Sequence, residues 1–401
     1  MTSSPEPATP TPPASMAEAL QRWRAANDRV SAMPRGHADW LQWERAHGLD
    51  RPAPRPDDAP AGEPLSLTAV DALALAQQPA LRVLPGLNAT EQLARDRRAA
   101  ALRAQARAAW VEAVTARAQR RLTENMLEAA ELGAELARRQ QAVGHFSAEQ
   151  RLRHEQTAWQ ARQALVAARA SEWQALARLW QHVGGTEDPA ALGRRLPGTL
   201  PPPPALPDDA ELAARQHAHH PQWVSLRAQW EQTRAALTDD AWQALERAWQ
   251  HDVDGATRQT APMAPRAEWR KPAWPHAWEA ALHAHAQWRS LQRQLDADRW
   301  QGLQTAHALH QHAQVLREQW LPQVQQLEEE ALLRYNGMLL SPWDLLEAVR
   351  QRLAAQHTVL AAERDAWLAV LALDAVAWGL PWNGPRPEVA ATDTPTAAKG
   401  H

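Results

Sequence analysis

From Asn88 to Val143 the chain contains no proline and a single glycine, Gly133. A run so free of breakers is the mark of one very long helix. If unbroken it would be roughly 80 Å long at about 1.5 Å per residue, too long for a compact globule. Its apolar residues therefore need a partner helix. They fall at Ala118, Leu122, Ala129, Leu132, Leu136 and Val143, in steps of three, four and seven, the rhythm of a coiled-coil seam.

The partner follows at once. After Gly144-His145-Phe146-Ser147 comes a strict seven-residue series, Leu152, Trp159, Val166, Trp173 and Trp180. Offset by four from it stand Gln156, Gln163, Ala170 and Ala177, so the pattern predicts large residues on one line facing small or polar ones on the other. Two long helices joined by so short a turn must run antiparallel. The expected fold is all-α, made of elongated antiparallel coiled-coil hairpins.

Composition agrees. Gly is scarce at 16 of 401 residues, Tyr and Phe occur once each, and a hydrophobic share of 45% with 22% charge is ample for a buried seam. A net charge of -3 gives no global field for nucleic acid or an anionic membrane. The absence of Cys excludes disulfides, thiolate metal sites and thiol nucleophiles. No secretory signal is visible in residues 1–15, and no stretch approaches the run of about 18 apolar residues that a transmembrane helix needs.

Proline blocks divide the chain into a Pro-rich segment over 1–64 with two short helices within 16–48, a helical repeat over 65–196, a linker over 197–206, a second helical repeat over 207–380, and a disordered tail over 381–401. The repeat is read from a shift of 194 residues. It places Leu122 on Leu316, Ser147 on Ser341, Leu152 on Leu346, Trp159 on Leu353, Val166 on Leu360, Trp173 on Trp367 and Gly185 on Gly379. A second match, Gln78-Pro79-Ala80-Leu81 with His220-Pro221-Gln222-Trp223, precedes each hairpin at a shift of 142. The second copy thus holds extra sequence before its hairpin, read as helix, a Pro-rich loop over 257–275, and helix, with no strand.

These features resemble the TolC-like outer-membrane efflux protein family, the exit ducts of bacterial tripartite pumps. The resemblance rests on the short opening helix Leu67 to Leu75 followed by Pro79-Ala80-Leu81, on the tip turns around Gly144 and Ser147 and around Gly337 and Ser341, and on the Leu321-Pro322 step before the second tip. It implies a periplasmic or outer-membrane place in the cell envelope, homotrimeric assembly into an α-barrel, and a membrane-fusion adaptor as partner. It also implies a pair of β-strands in each copy, and here the chain departs. Arg82 to Thr90 is too short for two membrane strands of about 9–11 residues, and the corresponding stretch of the second copy is broken by proline. Direct membrane insertion by this chain alone is therefore not expected, since an open barrel would leave backbone groups unpaired in lipid. The alternative is a soluble coiled-coil scaffold that has lost transport.

By the resemblance, Gly144, His145, Phe146, Ser147, Gly337, Met338, Leu339 and Ser341 would contact the adaptor; the simpler account is that they cap their own hairpins. His217/His220 and His307/His310 each share a helical face and would suit a heavy-metal cargo, though a tight site needs three or four convergent ligands. The spacing of Trp223/Trp230 and Trp242/Trp249 reads as seam packing, with a membrane-interface belt over Trp269 to Trp288 as the other reading. Arg95, Arg98, Arg103 and Arg107 form a basic stripe, read as a solvated helix face in the absence of any nucleic-acid-binding module. No nucleophile elbow, phosphate loop or H-E-x-x-H motif is present, so neither an enzyme nor a cofactor is expected.

Overall fold

The computed structural model describes residues 64–81, 86–184, 188–243, 246–247 and 276–385. The expected short helices within 16–48, the Pro-rich loop over 257–275, Gly185, Trp249, Trp269, Trp274 and the tail from 386 onward lie outside them, as does the side chain of Trp278. Among the described residues all regular structure is helical, and no helix is long and apolar enough to cross a membrane. Contacts divide these residues into a body, 64–324 with 350–385, and a smaller unit, 325–349.

In the body, α1 (Leu67–Ala76) starts where the Ser66 hydroxyl accepts from the Ala69 N–H. A 3-10 turn, Pro79–Leu81, follows it. Helix α2 (Ala89–Ala142) starts at a reciprocal capping box: Asn88 accepts from the Glu91 N–H and the Glu91 carboxylate accepts from the Asn88 N–H, both at 2.9 Å. With α2 beginning at Ala89, the first copy has no room between Leu81 and that helix for two membrane strands. Helix α3 (Ala148–Val183) repeats the device with Ser147 and Gln150.

Ion pairs set the register of this first hairpin. Arg138 meets Glu155, Glu131 meets Arg162, Glu124 meets Arg169, Arg120 meets Glu172 and Glu112 meets Arg178. As one number falls the other rises, which is an antiparallel pair from end to end. Exposed pairs such as Arg162–Glu131 contribute only about 0–1 kcal/mol each, so they select alignment more than they hold the helices together. Holding comes from small residues: Ala130 and Ala134 of α2 pack on Ala158 and Ala161 of α3.

This corrects the expected seam. Ala118 and Ala129 are buried as expected, and Leu122 and Leu136 are half-buried. Leu132 and Val143, however, are exposed, and so is the entire heptad series Leu152, Trp159, Val166, Trp173 and Trp180. The facing line also differs, because Gln156, Gln163 and Ala170 lie exposed too. The inward face of α3 is instead Ala158, Leu165, Leu176, Leu179 and Val183. Alanine-lined faces permit close approach of the two backbones, and the bulky series is left on another side of the helix. A heptad series marks a line that packs on something; it does not say on which chain.

The main core lies where α1 crosses the lower part of the hairpin. Leu65, Val70, Val111, Val114, Leu179 and Val183 are all but inaccessible there, joined by Leu192 of α4 (Pro189–Arg194). Trp110 of α2 packs edge-on against Trp367, with ring centroids 6.5 Å apart, and its indole N–H donates to the Leu65 carbonyl at 2.9 Å. Arg117 is buried and donates to the carbonyls of Gly193 and Leu196, which holds the chain after α4 against α2. The proline run then passes α9 (Pro342–Ala377), whose Trp367 indole donates to the Pro201 carbonyl at 2.7 Å.

Beyond that strap come α5 (Asp209–His219), α6 (Pro221–Ala235) and α7 (His276–Val315). Leu212 of α5, Leu303, Ala306 and Leu309 of α7, and Ala369, Leu373 and Ala377 of α9 form a second core. Farther along, Ala313 of α7 meets Ala362 and Ala366, and Arg317 pairs with Glu363 at 3.3 Å. Here α7 and α9 run antiparallel, as α2 and α3 do. A π-helical segment, Leu316–Trp320, separates α7 from α8 (Leu321–Asn336). Pro322 lacks an N–H to continue the i→i−4 ladder, which accounts for the local widening.

The smaller unit, 325–349, contains the end of α8, the second tip turn and the start of α9. Ser341 caps α9: its hydroxyl donates to the Asp344 carboxylate at 2.6 Å, and the Ser341 and Asp344 N–H groups complete the box.

Candidate functional site

The two tip turns are built from different backbone solutions. In the first, Gly144 adopts φ +82, where any side chain would be strained, and the N–H groups of His145 and Phe146 both return to the Gln140 carbonyl. Phe146 is half-buried and stacks on the His154 ring with centroids 6.0 Å apart, so it covers its own helix rather than standing free. His145 is exposed, and Ser147 serves as the cap of α3.

In the second turn the left-handed residue is Met338, at φ +57, and not Gly337. The Gly337 N–H returns to Leu333, and the Leu339 N–H to Arg334. Met338 is 94% exposed and Leu339 80% exposed. Two adjacent apolar side chains held this far into solvent, one of them on a backbone conformation that side chains disfavour, form the more prominent apolar tip.

A second exposed apolar feature is the heptad line on α3. From Leu152 to Trp180 it extends roughly 40 Å at about 1.5 Å per residue. Trp159 is 61% exposed, with the Arg162 guanidinium 5.0 Å from its ring centre, and Val166 is 68% exposed. Their counterparts 194 residues on are the reverse: Leu353 is 2% and Leu360 8% exposed.

The histidine pairs do not converge. His220 caps α6, its Nδ1 accepting from the Trp223 N–H at 3.1 Å, and burial followed by the charge of Arg97 pushes its pKa down. In the neutral ring the proton then sits on Nε2, leaving neither nitrogen a free lone pair. His217 stacks on Trp223 at 4.4 Å and is likewise pushed down, mainly by burial and then by Arg299. His307 is exposed and His310 half-buried. Among the described residues no three His, Cys, Asp or Glu side chains come together as a metal site would require.

Tryptophans gather where α6 meets α7. Trp223 lies against Trp288 at 5.3 Å, and Trp230 stacks on Trp288 at 5.1 Å and meets Trp242 edge-on at 6.2 Å. The spacing that predicts seam packing thus brings Trp223, Trp230 and Trp242 into one cluster.

The basic stripe of α2 is not simply a solvated face. Arg95 pairs with its neighbour Asp96, whereas Arg107 binds the Asp71 carboxylate through two nitrogens, at 2.9 and 2.6 Å, and is half-buried. Sequence reasoning missed Asp71 as its partner, because nothing in the spacing brings α1 onto that turn of α2.

No protein-family model matches the chain, and no curated protein matches it significantly. Solved structures do. One is CusC, described for its folding and transmembrane channel formation, with a TM-score of 0.51 and 14% identity over 78% of this chain and 92% of that one. Others are the outer-membrane channel OprN, at TM-score 0.49 and 16% identity over 78% and 71%, and the Neisseria gonorrhoeae MtrE outer membrane channel, at 0.45 and 18% over 78% and 72%. The described residues thus form a helical, hairpin-built architecture shared with CusC. More specifically, it is the TolC-like fold in its helical part.

Proposed function

We propose that this chain is a conduit component of an efflux system in the cell envelope: copies of it assemble into a helical barrel, and a membrane-fusion adaptor docks on the helical tips. It works by enclosing a path, not by chemistry.

One observation carries the reading: a line of side chains is buried on α9 while its repeat counterpart on α3 is exposed. On α9, Leu360 and Trp367 are buried within the same chain, in one core with Trp110 and Val114 of α2, and Trp367 packs edge-on against Trp110. The residues 194 positions after Trp110, Val114 and Ala118 are Gln304, Ala308 and His312, and all three are exposed on α7. Each copy thus has an uncovered line on α3 and an uncovered covering face on α7. Satisfying both needs a neighbour on each side, a head-to-tail contact that closes into a ring. Three copies, with two repeats each, is the ring that the family resemblance implies.

Met338 and Leu339 support the tip contact, because exposed apolar tips of this kind otherwise invite aggregation. The experiment is co-purification of the full chain with a membrane-fusion adaptor. Met338→Asp together with Leu339→Asp should cut adaptor capture at least tenfold and leave the helical circular-dichroism signal unchanged, since neither side chain packs in a core. Undiminished capture by this variant would remove the second tip from the interface.

A further inference from the structure

Between α2, α5 and α9 lies a cavity of about 250 Å³ whose charges do not balance. Three guanidinium groups line it, Arg103, Arg107 and Arg215, together with one carboxylate, Asp374. Arg215 pairs with Asp374, and Arg107 reaches the same carboxylate at 3.5 Å while bound through two nitrogens to Asp71. Both carboxylates are thereby engaged. Arg103, half-buried, has no hydrogen-bond or ion-pair partner among the described residues.

A carboxylate or phosphate oxygen entering the cavity would give the Arg103 guanidinium charge-assisted hydrogen bonds. One wall of the cavity is flat and aromatic: His219 stacks on Trp378 with ring centroids 4.2 Å apart. Arg97 donates to the Gly379 carbonyl at 2.8 Å and so ties down the chain that carries Trp378. A net positive corner beside an aromatic wall suits an anionic group attached to a short organic body.

We propose that this cavity binds a small soluble organic oxyanion, a carboxylate or a phosphate ester, with Arg103 as its principal ligand and Arg107 and Arg215 at the rim. The proposal is independent of assembly and of the tips.

The test is calorimetric titration of the purified full chain with succinate and with glycerol phosphate, at fixed ionic strength in chloride. Saturable binding of at least one is expected. Arg103→Gln should weaken it at least tenfold while leaving the thermal unfolding midpoint in chloride unchanged, because Arg103 holds nothing else in place. Ala104 also lines the cavity, and Ala104→Leu, which narrows it and keeps every charge, should weaken binding at least tenfold. No saturable heat from either anion, or unchanged affinity in Arg103→Gln or in Ala104→Leu, would overturn the site. Sedimentation with phosphatidylglycerol vesicles that depends on Arg103, without any response to the soluble anions, would overturn the assignment to a solute.

Discussion

Trp159→Glu combined with Val166→Glu should leave a folded single copy where the proposed assembly predicts several. Both side chains are exposed within the chain, so the substitutions remove no contact that holds α3 to α2; those contacts are Ala158, Ala161 and the Arg162–Glu131 pair. Covered by a neighbour, each large apolar side chain contributes about 1.5–3 kcal/mol of burial. Replacing two of them with carboxylates that would be buried unpaired weakens association by roughly a thousandfold or more. Sedimentation velocity should report a multiple of the chain mass for the unaltered protein and one chain mass for the variant, with the same helical content. An unaltered protein that sediments as one copy at micromolar concentration would contradict the assembly.

The largest effect on folding is expected at Trp110. Trp110→Ala removes a nearly inaccessible indole from the point where α1, α2, α3 and α9 share one core. Large-to-small changes of this kind cost about 3–5 kcal/mol. The substitution also leaves the Leu65 carbonyl without the indole N–H and Trp367 without its edge-on neighbour. Trp110→Phe keeps much of the ring and loses the hydrogen bond, so it should fall between the two. Chemical denaturation followed by circular dichroism measures the ordering; a Trp110→Ala midpoint equal to that of the unaltered chain would contradict the core described.

The helices were legible because their determinants are local. The breaker-free run from Asn88 to Val143 and the seven-residue series after the Gly144-His145-Phe146-Ser147 turn mark them, and the caps at Asn88 and Ser147 and the positive φ of Gly144 agree. The hairpin partnership was legible from the length of α2 and the shortness of the turn. What periodicity could not supply was the direction in which the heptad line faces. Leu152, Trp159, Val166 and Trp173 have the same spacing whether a helix of the same chain or of another copy covers them. Only the alanines at 130, 134, 158 and 161, too small to stand out in the sequence, decide that α2 takes the other face. At the second tip the left-handed residue is Met338, a role that nothing in its side chain announces. Arg103 and Arg107 were visible as part of a basic stripe with Arg95 and Arg98. Their partners were not, because Asp71, Arg215 and Asp374 come from α1, α5 and α9 and only packing unites them.

The native chain has no cysteine, so one engineered pair can locate the contact between copies. The repeat places Trp173 of one copy where Trp367 stands against Trp110, opposite Gln304 of the next. In a protein carrying both Trp173→Cys and Gln304→Cys, a short bismaleimide should link chains into a ladder that ends at a closed ring. Either substitution alone should leave the chains unlinked. A ladder from the pair and none from the singles is the result this account predicts; efficient linking by Trp173→Cys alone, or none by the pair, would contradict the covering of α3 by a neighbour's α7.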